Sequence, residues 1–255
     1  MSETRLVIQA DDIGMCHAVN EGIERAFLEG VLTQTTAMAP CPWIDEAARI
    51  SKRIGATVGM HATFTCEWDS LRWRPITGGA SLAGPDGTFP RDADTADACI
   101  DEADAREELD AQFARLLALG TEPVYVDCHM RATCVEALRH VVRKHGKPYL
   151  YTAVSPHYAF DSKASLSARE TGTKLDWMLE YLDSLGPGVH YLCTHPAEPC
   201  SELRSLALPG AAASPWAETY RASDLEILCD PRVRERIAAR NIDLVSVAQL
   251  EPCSH

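Results

Sequence analysis

Short β-rich runs and amphipathic helical stripes alternate along almost the whole chain, and that alternation constrains the fold more than any other feature. LVIQA at residues 6–10 reads as a buried strand. Val19, Ile23, Ala26 and Phe27 then recur at helical spacing, with Gly30 as the stop. TQTTAMA at 33–39 is β-branched and strand-like, and a helix is expected from about Trp43 to Arg53 after Pro40 and Pro42. TVGMHATFT at 57–65, PVYVDCH at 123–129, YLYTAV at 149–154, VHYLCT at 189–194 and IDLVS at 242–246 give five further strands. Between them lie helical stripes such as Leu109, Phe113, Leu116 and Leu117, then Val135, Leu138, Val141 and Val142, then Leu175, Met178, Leu179 and Leu182. Two more helical stretches fall near 216–228 and 231–240, the second opened by Pro231.

Seven strand–helix alternations without a linker or an internal repeat predict one α/β domain over residues 1–255 with about seven parallel strands. A barrel is favoured, although an open doubly wound sheet has the same alternation. The pattern lapses only between about 66 and 98, where glycines, prolines, Trp68 and Trp73 mark a long loop. A loop of that length in a compact domain is usually functional or disordered, and the aromatics favour function. The two indoles could stack on a sugar or another flat ligand, or they could pin the loop to the barrel, as aromatic anchors commonly do.

With 37 acidic against 24 basic residues the formal charge is −13, which argues against nucleic acid as a partner. No apolar run is long enough to span a membrane, and the first residues lack the basic and apolar regions of a signal peptide. The ten cysteines contain no CxxC pair. Free or buried thiols in a cytoplasmic protein are therefore expected. A homodimer and a monomer are equally compatible with the charge.

Asp11 and Asp12 stand side by side where the first strand should stop. Like charges so close repel, so either they sit in a solvated turn or a cation belongs beside them. His61 falls late in the third strand, Asp127 and His129 end the fourth, and His195 ends the sixth. In a barrel the C-terminal strand ends carry the site, and four strands deliver Asp or His to that rim. Each residue alone is weak; a histidine such as His61 in an apolar strand is more often a satisfied core residue. Together they fit one divalent-metal site: Asp12, His61 and His129 as ligands, Asp11 as the base acting on a water. His195 would be the acid for a leaving group, and Asp127 would fix a histidine tautomer. Zinc suits one carboxylate and two imidazoles, with cobalt, nickel, manganese and magnesium open. His140 and His145 read as surface residues, His157, His190 and His255 as bystanders, and His17 near the rim is unassigned.

ADDIGMCHAVNEGIERAFLEGVLTQTTAMAP resembles the opening of the YdjC-like (ChbG/HpnK) carbohydrate deacetylases, with its strand, paired Asp and following helix. VGMHATFT, VYVDCHMR and YLCTHPAEP resemble three later segments of the same family, in family order. The resemblance implies a distorted, TIM-like (β/α) barrel and metal-dependent removal of acetyl groups from N-acetylated sugars. It maps Asp11 to the general base, Asp12, His61 and His129 to the metal, and His195 to the candidate acid. Two departures bear on the substrate: Ile13 stands where the family has Phe, and Met130, Arg131, Ala132 and Thr133 replace a histidine-rich run. Arg131 is a candidate anchor for a carboxylate or phosphate. The expected substrate is a small molecule, an N-acetylated amino sugar or short oligosaccharide. A non-sugar amide or ester, or a non-catalytic ligand-binding member of the fold, is the alternative.

Overall fold

Residues Thr4–Ile13 form β1, which runs through the centre of the sheet and is buried from Leu6 to its end. A computed structural model describes residues 3–167 and 169–253, so His255 lies outside the described residues. After β1 come α1 (His17–Leu28), β2 (Gln34–Ala37), α2 (Ile44–Ile54), β3 (Thr57–Ala62), α3 (Ala93–Cys99) and α4 (Glu102–Ala118). The chain continues with β4 (Val126–Cys128), α5 (Val135–His145), β5 (Ser162–Ser165), α6 (Lys174–Ser184) and β6 (Gly188–Thr194). It closes with α7 (Ser201–Arg204), α8 (Ser214–Ala217), α9 (Thr219–Cys229), α10 (Pro231–Ala239) and β7 (Ile242–Leu244).

All strand pairs are parallel, in the order β4-β3-β2-β1-β6-β5, with β7 added beside the start of β1. The sheet curls as a half-barrel, and beyond β4 isolated bridges join Val126 to Tyr149 and Tyr149 to His157. Alternation along β1 explains its two faces. Leu6, Ile8 and Ala10 pack into the large core with the helices, whereas Val7 joins Tyr125, Tyr158, Tyr191 and Val245 in a smaller cluster. Gln9 and Asp11 follow Val7 at the same period, so this face turns from apolar to amide to acid towards the strand's C-terminal end.

The register of β1 against β2 slips between Ala10 and Ile13, which face Thr35 and Ala37. One extra residue is therefore inserted at the Asp11–Asp12 pair, and Asp12 takes a left-handed φ of 76°. Such a bulge re-aims side chains that strict alternation would send to fixed, opposite faces. Aspartate tolerates this backbone better than most residues.

Three helix ends have clear chemical signals. Gly55 and Gly146 cap α2 and α5 in left-handed conformations, and Asp230 accepts from the Arg232 backbone N–H ahead of Pro231 in α10. Among the described residues, no helix is long and apolar enough to cross a membrane.

Two expectations need correction. The segment from 66 to 98 is not loop to its end, because Ala93 to Cys99 form α3, capped by Asp92 accepting from Thr95 N–H. The rest is tied down by side chains: Glu108 accepts from the backbone of Ile76 and Thr77, and Asp104 from Ser81. YLYTAV at 149–154 is not a strand; Tyr149 makes one bridge to Val126 and one to His157, and the chain then turns away. Its place beside β6 is taken by SKAS, whose polar composition gives no strand signal.

The strand end that carries His195 is held against α1 by close backbone approach. Glu198 N–H donates to Ala18 O at 2.9 Å, and a Cβ on Gly22 would lie 2.7 Å from the Ala197 carbonyl carbon. Glycine to alanine inside a helix normally stabilises by about 1 kcal/mol. Gly22→Ala is expected to do the opposite, lowering stability by about 1–3 kcal/mol through overpacking, as read by urea denaturation. A gain in stability would show that the approach is not tight.

Candidate active site

Gln9 organises the acids at the rim. Its amide donates to Asp11 Oδ1 at 2.6 Å and to Asp127 Oδ2 at 2.8 Å, while its carbonyl accepts from Tyr125 OH and Gln34 Nε2, both at 2.6 Å. All four hydrogen bonds of one buried amide are thereby used to fix two carboxylates. Cys193 Sγ donates to Asp11 Oδ2 at 3.3 Å.

The bulge turns Asp12 to a separate set of partners. Arg221 Nη2 donates to its Oδ2 at 2.7 Å, with both residues essentially excluded from solvent. Asp12 Oδ1 stands 3.4 Å from His61 Nε2 and 3.2 Å from His129 Nδ1. The far nitrogen of each ring is engaged by a carboxylate: His61 Nδ1 by Asp127 Oδ1 at 2.5 Å, His129 Nε2 by Glu67 Oε2 at 3.0 Å. Asp12 Oδ1 and His61 Nε2 are buried without a hydrogen-bond partner. Two such atoms facing one another are costly unless something binds both.

The charges point the same way. Burial pushes the Asp11 carboxyl up to about 6, against His61 and together with Asp127 and Asp12. Burial also opposes ionisation of Asp12, but Arg221 and the two imidazoles outweigh it and hold this carboxyl well below its ordinary value. His129 is raised to about 9, since Glu67 and Asp12 outweigh burial, and His61 is raised well above its ordinary value by Asp127, Asp12 and Asp11. Four carboxylates thus face one buried guanidinium, and the balance calls for positive charge at the two rings. One divalent cation between Asp12 Oδ1, His61 and His129 fits that demand, and these donor atoms lie within 4.8 Å of one another.

His195 has a different support. Ser167 Oγ donates to Asp224 Oδ2 at 2.5 Å, and His195 Nδ1 lies 2.8 Å from the same Oγ. A hydroxyl has one proton, so Nδ1–H must donate to Ser167 and Nε2 is left with its lone pair. Lys174 Nζ, at 2.7 Å, and the His195 backbone N–H, at 2.8 Å, complete Asp224. Burial pushes His195 down to about 3, with Arg221, His61 and His129 acting in the same direction against Asp12. The bare Nε2 stands 3.7 Å from Asp11 Oδ2.

Asp11, Asp12, Asp127, His129 and His195 open onto a cavity of ≈ 710 Å³, also lined by Glu67, Trp68, Tyr151 and Trp216. His61 lies behind it, 2% exposed. Trp68 and Trp73 are both buried: the Trp68 indole N–H points at Met15 Sδ, and Trp73 packs edge-on to His129 while donating to Thr65 O. Arg131 reaches the cavity wall, but its guanidinium is engaged by Asp94 at 2.5 Å and Asp97 at 2.8 Å. His17 pairs with Glu46 instead of joining the cavity. His140 and His145, expected at the open surface, both engage Asp110, and His145 stacks on Phe113.

Sequence reasoning missed Glu67, Ser167, Arg221 and Asp224. Arg221 and Asp224 had a usable signal, since they share one helical stripe with Leu225 and Leu228 and so occupy positions where a buried face should be apolar. Glu67 and Ser167 lie in irregular segments without periodicity.

Residues 5–239 match the YdjC-like protein family. A carbohydrate deacetylase of Geobacillus stearothermophilus is 27% identical over 261 residues, covering 94% of this chain and 95% of the relative. Carbohydrate deacetylase 2 of Listeria innocua serovar 6a is 28% identical over 260 residues, covering 95% and 97%. Among solved structures, a protein of Enterococcus faecalis V583, named for a proposed cleavage of cellobiose phosphate, superposes with a TM-score of 0.82 at 24% identity. That likeness covers 98% of this chain and 99% of the other and concerns the fold. A family 4 carbohydrate esterase of Streptomyces lividans shares the fold more distantly, with a TM-score of 0.51 at 12% identity over 99% and 98% of the chains.

The Asp12–Arg221 pair should be essential to stability when no cation is present. Arg221→Met removes the principal partner of a buried carboxylate and is expected to cost about 3–5 kcal/mol in urea denaturation of metal-stripped protein. Adding Asp12→Leu should restore much of that loss. A cost below about 1 kcal/mol, the scale of an exposed pair, would show that water reaches the carboxylate.

Proposed function

The chain belongs to the YdjC-like family, and from that premise we propose that it is a metal-dependent hydrolase removing the acetyl group from an N-acetylated amino sugar or short oligosaccharide. The observation that carries this reading is the pair of unsatisfied atoms, Asp12 Oδ1 and His61 Nε2, turned towards each other and His129 beside a second, separately held carboxylate. The relatives named as carbohydrate deacetylases support the acetylated-sugar substrate.

In this reading Asp12, His61 and His129 hold one divalent ion. Zinc matches the donor set best, with magnesium, cobalt, nickel and manganese as further candidates. Such an ion supplies Lewis-acid polarisation of the amide carbonyl and makes a nearby water more acidic.

The remaining work falls to the chain's own groups. Asp11 Oδ1 is committed to Gln9, so Oδ2, which meets only the weak Cys193 donor, takes the proton from water. His195 Nε2, bare in its resting tautomer, receives a proton from the Asp11 side and passes it to the departing amine. Asp127 and Glu67 fix the ring orientations of His61 and His129, and Arg221 keeps Asp12 ionised. Trp216 and Tyr151, both partly exposed, offer the cavity's aromatic walls to a sugar ring, whereas Arg131 pairs with Asp94 and Asp97 at the cavity edge. All ten cysteines are free, in keeping with a reducing, cytoplasmic setting.

The test is acetate release from N-acetylglucosamine and its short β-linked oligomers by protein stripped and reloaded with each metal in turn. Asp11→Asn should still bind metal but lose about 10²–10⁴-fold in turnover, the usual worth of a general base. His61→Ala should lose the metal together with the activity. Glu67→Ala is expected to weaken metal affinity about 10–100-fold, since it leaves His129 without its orienting partner. Acetate production by stripped protein would refute the metal requirement, and full activity in Asp11→Asn would refute the base. Silence on every sugar with metal bound would move the substrate to another amide or ester.

A further inference from the structure

Asp11 has metal-ligating atoms on both sides, those around Asp12 and a second group facing the cavity. On its cavity side, Asp11 Oδ2 is 3.3 Å from Cys193 Sγ and 3.7 Å from His195 Nε2, and the three donor atoms lie within 4.8 Å of one another. We propose that Asp11, Cys193 and His195 form a second, weaker site for a thiophilic divalent cation such as zinc or cobalt(II), distinct from the Asp12–His61–His129 site.

The geometry suits the ion. Bonds of about 2.0 Å to N and O and about 2.3 Å to S put tetrahedral O–N and O–S pairs roughly 3.3 and 3.5 Å apart, so the present separations of 3.7 and 3.3 Å need only side-chain shifts of a few tenths of an ångström. Each donor is also in the right state or can reach it. The Ser167–Asp224 relay forces the His195 proton onto Nδ1, so Nε2 presents a lone pair to the cavity without any prior proton loss. Asp11 Oδ1 is held by Gln9, which leaves Oδ2 free to ligate. The Cys193 thiol must release its proton to solvent as the sulfur–metal bond forms. Burial makes that release costly, which only a soft cation with a strong thiolate bond offsets. Magnesium and manganese, which prefer oxygen donors, are excluded on the same ground. All three residues line the cavity, so an ion can reach them by the substrate's route. The bulge keeps the two sites apart by sending Asp11 and Asp12 to separate partner sets.

The consequence for activity rests on the deacetylase reading: an ion here ties up the base and the proton carrier together, so zinc beyond the first equivalent should inhibit while magnesium does not. The binding claim does not rest on that reading.

Cobalt(II) titration of stripped protein tests it. The first equivalent should give visible d–d bands alone. The second should add a near-ultraviolet thiolate-to-cobalt charge-transfer band, which excess zinc removes. Cys193→Ser should keep the first equivalent and lose the second together with its band. In unaltered protein, alkylation of Cys193 by iodoacetamide, followed by peptide mass spectrometry, should slow only as the second zinc equivalent binds. No charge-transfer band by two equivalents, or the same band in Cys193→Ser, would each overturn the second site. Acetate release that persists undiminished while the second equivalent is bound would overturn the inhibition alone. Absent activity with an intact cobalt result would instead count against the deacetylase reading.

Discussion

Asp12 and Arg221 meet at 2.7 Å in a position from which water is excluded, and the rim of the sheet depends on that contact. A buried carboxylate without a partner would take up a proton, and a protonated Asp12 could neither repel Asp11 nor attract a cation. Arg221 satisfies one oxygen and leaves the other towards His61 and His129. The guanidinium comes from α9, far along the chain, so the last third of the sequence sets the charge state of a residue in the first strand. The same helix supplies Asp224, which fixes the tautomer of His195 through Ser167. One helix face therefore prepares both halves of the cavity.

The inner face of β1 shows how the sheet accommodates so much charge. Val7 lies among aromatic rings, Gln9 makes four hydrogen bonds, and Asp11 reaches the cavity, each two residues beyond the last. The amide layer separates the apolar floor from the acids and satisfies the donors and acceptors that a direct junction would strand. Gln34 and Tyr125 complete that layer from β2 and from the residue before β4. Polar residues inside a parallel sheet weaken the core locally, and here they occur where three strands approach the cavity.

Much of this was legible in the sequence because it follows from period and position. Buried parallel strands read as short apolar runs, and acids or imidazoles at their ends stand out against them; Asp11, Asp12, His61, Asp127, His129 and His195 were all placed at the rim on that ground. Long-range placement was the limit. The strand SKAS carries no apolar signal although it pairs with β6, while YLYTAV has the composition but makes only the single bridges of Tyr149 before the chain turns. Arg131 stands where the resembled family has histidines, and its guanidinium pairs with Asp94 and Asp97 of α3, a helix inside a segment whose composition reads as loop. Arg221 and Asp224 look like ordinary helix charges in isolation, although their spacing with Leu225 and Leu228 puts them on the buried stripe.

Cys193 shows how little separates a useful contact from a liability. Its S–H donates to Asp11 Oδ2 and so helps to orient that carboxylate, a task a serine hydroxyl of similar shape would perform with a stronger bond. What serine lacks is the soft donor. In the proposed reaction the bare Nε2 of His195 and the free Oδ2 of Asp11 both carry protons, so neither could be closed to a passing ion without changing that chemistry. Susceptibility to a thiophilic cation is thus set at one position that the reaction itself does not constrain, where sulfur converts two groups poised for protons into three poised for a metal.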